Sequence, residues 1–186
     1  PDIIRMEQYM DFLRNRVFRQ TLLVHQGIVL NRNIQWHMLD QFAFATPARP
    51  PTNTIDYTAG APQEFKSPRG AGVATREPIV KAALSVLAER WPQALSFGEL
   101  RTAARIRLIS AMPVGEAGSG ERDAEILGTE LLHCVAGSIV ELHAEPAQLT
   151  ADISARPRVN ALARYKAGKG ALVTNLRHEP TNLDEF

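Results

Sequence analysis

Five histidines, at positions 25, 37, 133, 143 and 178, and one cysteine, Cys134, are the residues from which a metal site or a thiol centre would have to be built. Their spacing builds neither. No two histidines stand at i, i+4, and no second cysteine completes a zinc knuckle. His133 and Cys134 are neighbours, but adjacent helix positions point about 100° apart, which argues against a thiolate–imidazole pair and for a buried structural thiol. Glu7 and Asp11 stand one helical turn apart, as two carboxylates for acid–base work could. Arg14 and Arg16 beside them make a solvated mixed-charge face the simpler reading. Gly70 and Gly72 precede a helix, as in a nucleotide-binding loop, yet such a loop must leave a buried apolar strand. Gln63 to Arg69 are mostly polar and include Pro68, and no acid sits in a loop about 20 residues on, so a hairpin turn is expected. Gly168-Lys169-Gly170 lacks both the upstream glycine and the following Ser or Thr of a phosphate loop. The chain is expected to hold no catalytic, cofactor-binding or metal-ligating residue.

The 186 residues, 45% hydrophobic and 22% charged, are ordinary globular composition. A net charge of +1 sets up no global field toward nucleic acid or anionic membranes. A lone cysteine and the absence of a leader-like start point to a reducing cytoplasm, and no apolar run approaches the roughly 20 residues of a membrane span. The first residues read as a helix start rather than a natural terminus, so the chain is expected to be a piece of a longer polypeptide.

Asp2 as N-cap and Met6, Tyr9, Met10, Leu13 and Val17 at helical spacing predict an amphipathic helix over 3–18. Strands are expected near 19–25 and 41–46, with a short helix between them. The prolines and glycine of 47–62 read as a loop or linker. A hairpin is expected over 64–75. The next helix starts near Pro78, carries Val80, Ala83, Leu84, Leu87 and Trp91 as its stripe, and ends at Pro92. Ser96 and Glu99 form a capping box for a second helix. After a glycine-rich loop over 115–120, a third helix runs from about 121 to 136, and Ile139, Val140 and Leu142 form a strand. A tail helix capped by Ser154 near Pro157 and a strand over 171–176 complete the expectation. The class is α+β and helix-rich. It comprises a regulatory helix-and-strand segment (1–50), a linker (51–63), a winged-helix-like module of three helices and a small sheet (64–145) and a helix/strand tail (146–186).

A winged helix invites DNA binding through its third helix. That helix carries Arg122 against Glu121, Asp123, Glu125 and Glu130, a net of −3, where a reading helix should be basic. Protein contact suits it better. One basic patch stands out, Arg156, Arg158, Arg164, Lys166 and Lys169 with Tyr165 among them, either a solvated face or a grip on nucleic acid or an acidic partner.

The stretch EQYMDFLRNRVFRQTLLVH at 7–25 resembles the methyltransferase regulatory domain, a family found downstream of catalytic domains in bacterial S-adenosylmethionine-dependent methyltransferases. PIVKAALSVLAERWPQALSFGEL at 78–100 and VTNLRHEPTNLDEF at 173–186 look like the C-terminal region that follows it. The resemblance implies a parent enzyme of the protein-lysine methyltransferase kind, with S-adenosylmethionine held by a separate N-terminal Rossmann-like domain and no cofactor in this chain. The implied partners are that catalytic domain and a protein substrate; the charge pattern and the lack of an apolar span argue against nucleic acid and a membrane. Tyr9, Phe12, Arg14, Arg16, Phe18 and Arg19 are the expected contact residues.

Overall fold

The computed structural model of the chain describes residues 2–18, 23–52, 54–111, 120–146, 149, 154–156 and 158–183. The chain forms two compact units, Pro1–Ile34 and Gln35–Phe186. In the first, the Asp2 carboxylate accepts from the Ile4 and Arg5 amides at 3.0 and 3.4 Å and so caps α1 (Ile3–Leu13). The helix is shorter than the periodicity predicts. Asn15 turns to a φ of 48°, and the Arg16 amide reaches back to the Asp11 carbonyl at 3.0 Å, which closes the last turn. Residues 23–34 form no helix or strand, so 23–25 are not the strand expected there; 19–22 lie outside the described residues.

The second unit is built around α2 (Pro78–Arg90), in which every residue from Ile79 to Ala88 is buried. A one-sided stripe was the expectation. Instead β1 (Ala43–Ala45), α3 (Phe97–Ala111) and α4 (Gly120–Ala136) pack around the helix, which therefore has little solvent face. Phe44, Phe65, Leu84, Leu87, Phe97, Leu100, Leu127 and Leu131 fill the core. On the α2–α3 seam Arg107 makes a two-pronged ion pair with Glu89, which holds the Glu89 carboxyl below the usual range.

The capping box forms as read. The Ser96 amide and hydroxyl donate to Glu99 at 2.9 and 2.6 Å, and the Glu99 amide donates back to Ser96 at 3.3 Å.

Three short antiparallel strands lie in the order β4 (Leu95–Ser96), β1, β5 (Glu141–His143), with Phe44 opposite Leu95 on one side and Leu142 on the other. The central strand thus comes from upstream of the helices it covers. Composition places a boundary at 51–63, but these residues lie inside the second unit, and Ile55 and Tyr57 pack against its core. The hydroxyl of buried Thr46 donates to the Ile139 carbonyl at 2.5 Å, which ties the end of β1 to the chain leaving α4.

The expected hairpin pairs β2 (Gln63–Lys66) with β3 (Gly72–Thr75). Gly70, at a φ of 88°, supplies its turn, which settles the glycine pair as hairpin rather than nucleotide loop. In the tail, α5 (Ala161–Ala167) is capped by Asn160, whose side chain accepts from the Ala163 amide at 2.7 Å, not by Ser154. Pro157 lies outside the described residues, as does all of the glycine-rich loop except Gly120. β6 (Leu172–Thr174) pairs with β7 (Pro180–Asn182), a strand the sequence does not announce because it starts on proline and lacks alternation. Helices with small antiparallel sheets make the class α+β, as expected.

Ser138, past the end of α4, sits at a φ of 57° while the Ile139 amide closes back on Cys134 at 2.9 Å. This is the position where glycine carries no Cβ penalty. Ser138→Gly is expected to raise stability by about 0.5–1 kcal/mol in urea titration; a destabilised variant would contradict this account of the helix end.

Candidate functional site

The contact residues expected from the sequence fall in the first unit. Tyr9 and Phe12 lie on α1 and are exposed, with Phe12 at 82%; Phe18, at 91%, is nearly free. Arg14 is the C-cap residue, and Arg16 stands 3.8 Å from Asp11, so the acidic pair sits on a mixed-charge face as read. Arg19 lies outside the described residues. No residue of α1 is buried, and Met6, Tyr9 and Leu13 follow one another at helical spacing along an exposed apolar stripe.

The basic patch divides by role. Lys166 donates to the Thr174 hydroxyl at 2.5 Å and fastens α5 to β6, while Lys169 lies 4.5 Å from the centre of the Tyr165 ring. Arg156, Arg158 and Arg164 are exposed.

The densest polar cluster was not anticipated. Arg177 donates to both oxygens of Glu141 at 2.8 and 2.9 Å, lies 4.2 Å over the Trp91 ring and approaches Glu179 at 3.6 Å. Arg69 reaches Glu179 at 3.4 Å, and His143 stands 3.3 Å from Glu141. Arg177 lines two recesses of about 440 and 490 Å³. Each carboxylate at Arg177 already faces a cation, so the cluster works as a clamp between the β6–β7 hairpin and β5 rather than as an acid–base pair. A signal for it exists only in three dimensions, since positions 69, 91, 141 and 177 share no sequence pattern.

A third recess, about 660 Å³, runs between α3 and α4. Trp36 and Ala124 line it with exposed Ile106 and Ile109, and Arg101 and Arg105 complete it.

Among the described residues no three His, Cys, Asp or Glu side chains gather as a metal site. Cys134 is buried in α4 while His133 is exposed and stands 3.7 Å from Glu130, so the two neighbours point apart. Burial, helped by Glu130, pushes the Cys134 thiol up to about 11. At pH 8 iodoacetamide is therefore expected to label the native thiol at least about 100-fold more slowly than the unfolded one. Because the folded value lies above the unfolded value of 9.0, Cys134 favours the native state below about pH 9, and that contribution disappears as pH rises toward about 11. Equal labelling rates in native and urea-unfolded protein would contradict this placement.

This fold, with its α2-centred α+β body, is shared with a segment of a larger protein. Over 97% of its length the chain superposes on 37% of PKMT2 from Rickettsia typhi, with a TM-score of 0.77 and 25% identity. The structure of that protein in complex with AdoHcy matches equally, at 0.76 and 26%. Among curated proteins, the uncharacterized protein RP789 of Rickettsia prowazekii is 28% identical over the whole chain, and RP027 of the same organism is 37% identical over 43% of it. The chain spans about a third of the length of these relatives. No protein-family model matches it. No helix among the described residues is long and apolar enough to cross a membrane.

Proposed function

We propose that this chain is the regulatory and substrate-docking part of an S-adenosylmethionine-dependent methyltransferase acting on protein lysine, with the cofactor held by a catalytic domain elsewhere in the parent. The observation that carries the reading is the match of nearly the whole chain to about a third of a protein lysine methyltransferase. In this reading the segment belongs to the methyltransferase regulatory domain type. Its exposed α1 stripe, with Tyr9, Phe12 and Phe18, meets the catalytic domain or the protein substrate, because an apolar face of this size is stabilised by a partner.

The α2-centred body is read as winged-helix-like. Helix, strand, helix, helix and strand follow in order, and the strand completing the sheet is β1 from upstream instead of a second wing strand. The acidic α4 makes protein, not DNA, its partner. Parent enzyme carrying Tyr9→Ala and Phe12→Ala is expected to keep S-adenosylmethionine affinity while lysine methylation of the protein substrate falls. Unchanged methylation after removal of residues 1–18 would sink the docking role, and tight binding of S-adenosylmethionine to the isolated chain in calorimetry would overturn the division of labour.

A further inference from the structure

From Ser154 to His178 the chain carries six cations and no acid, although its net charge is only +1. Arg177 and Lys166 are engaged internally, as described above. Arg156, Arg158, Arg164 and Lys169 are exposed, and no acidic side chain pairs with them among the described residues. Between these cations stand large apolar side chains that are also exposed: Val159 at 55%, Leu162 at 50%, Tyr165 at 61% and Leu172 at 64%. Leu162 and Tyr165 stand one turn apart on α5, and Lys169, just past its end, lies over the Tyr165 ring, so aliphatic, aromatic and cation adjoin on one face. Buried Ala163 and the Lys166–Thr174 bond fasten α5 to the hairpin.

We propose that this face is a peripheral docking surface for an anionic lipid bilayer. Cations alone would suit any polyanion. The aliphatic residues decide between classes: Val159, Leu162 and Leu172 have no role against a nucleic-acid backbone, and the Tyr165 ring that could stack a base is already approached by Lys169. At a bilayer surface both sets have a use. The aliphatic and phenol side chains enter the headgroup boundary while the surrounding cations meet lipid phosphates. The proposal is independent of the methyltransferase reading.

The test is flotation of the full chain with vesicles of phosphatidylcholine alone and of equimolar phosphatidylcholine and phosphatidylglycerol, at low and at physiological salt. Binding is expected only to the anionic vesicles, and more weakly at the higher salt. Arg164→Gln with Lys169→Gln is expected to lower partitioning about tenfold or more. Leu162→Ser with Tyr165→Ser is expected to lower it several-fold without changing the thermal unfolding midpoint, since all four side chains are exposed. The proposal is overturned if anionic vesicles do not carry the chain. It is overturned equally if the Leu162/Tyr165 variant floats like the parent and a labelled oligonucleotide competes the vesicles away, which would make the surface a phosphate-polymer site.

Discussion

Lys81→Ala is expected to lower the free energy of unfolding by about 3–5 kcal/mol in urea titration, while Lys81→Met costs only about 1–3 kcal/mol. Lys81 is fully buried in the middle of α2. Its ammonium donates to the carbonyls of Asp56 and Thr58 at 2.7 and 2.8 Å, and the Ser85 hydroxyl donates to the Lys81 carbonyl one turn on. Methionine keeps the apolar stem within the core and loses the two hydrogen bonds, partly offset by no longer burying a charge. Alanine loses both stem and bonds and leaves a cavity beneath the 54–58 segment. Equal stabilities for the two variants would show that the stem contributes nothing.

The same residue gives a pH signature. Burial pushes the Lys81 amine below its ordinary value, with Asp56 and Glu77 opposing. Between the lowered folded value and the unfolded value of 10.5, the unfolded state binds more protons, so stability rises with pH across that window. The difference between the parent chain and Lys81→Met is therefore expected to move in favour of the parent as pH approaches 10.5. Other titrating groups are common to both proteins and cancel. A difference that falls or stays flat over that window would contradict the buried ammonium.

Lys81 also shows where the sequence stops being legible. The pattern around it predicts a helix from Pro78, and the helix is there, because Pro at the first turn and a stop before Pro92 are local signals. The hairpin at Gly70 and the capping box at Ser96 are legible for the same reason: their chemistry closes within a few residues. That α2 is wrapped on every side is not local. It depends on β1 arriving from upstream and on the Asp56 and Thr58 carbonyls, more than 20 residues away in sequence, receiving the Lys81 ammonium. Helix α1 stops at Leu13 because Asn15, just past its C-cap, turns left-handed, which apolar spacing through Val17 conceals. Of the candidate surfaces, the basic patch was legible as contiguous charge, but its division into a fastening Lys166 and exposed arginines was not. The Arg177 clamp joins positions 69, 91, 141, 143, 177 and 179 from four parts of the fold, so only the folded chain assembles it.

Gly128→Ala is expected to destabilise the protein by about 1–3 kcal/mol, although alanine is the better helix former by roughly 1 kcal/mol. A Cβ at Gly128 would stand 2.6 Å from Cβ of Trp36 and 3.2 Å from its Cγ, closer than packed carbons come. Trp36 opens the 3-10 turn Trp36–Gln41, and its nearest atom is the Cβ, which retreats only if the backbone of that turn moves. α4 can lie this close to the turn only because position 128 has no side chain. A double-mutant cycle makes the argument decisive. In a Trp36→Gly background both the obstructing Cβ and the ring are gone, and the same glycine-to-alanine change is expected to reverse sign and stabilise by up to about 1 kcal/mol through helix propensity alone. Urea titration followed by far-UV circular dichroism reads all four corners of the cycle without relying on tryptophan fluorescence. If Gly128→Ala is equally destabilising with and without the Trp36 side chain, the close approach of α4 to the ring is not what holds glycine at this position.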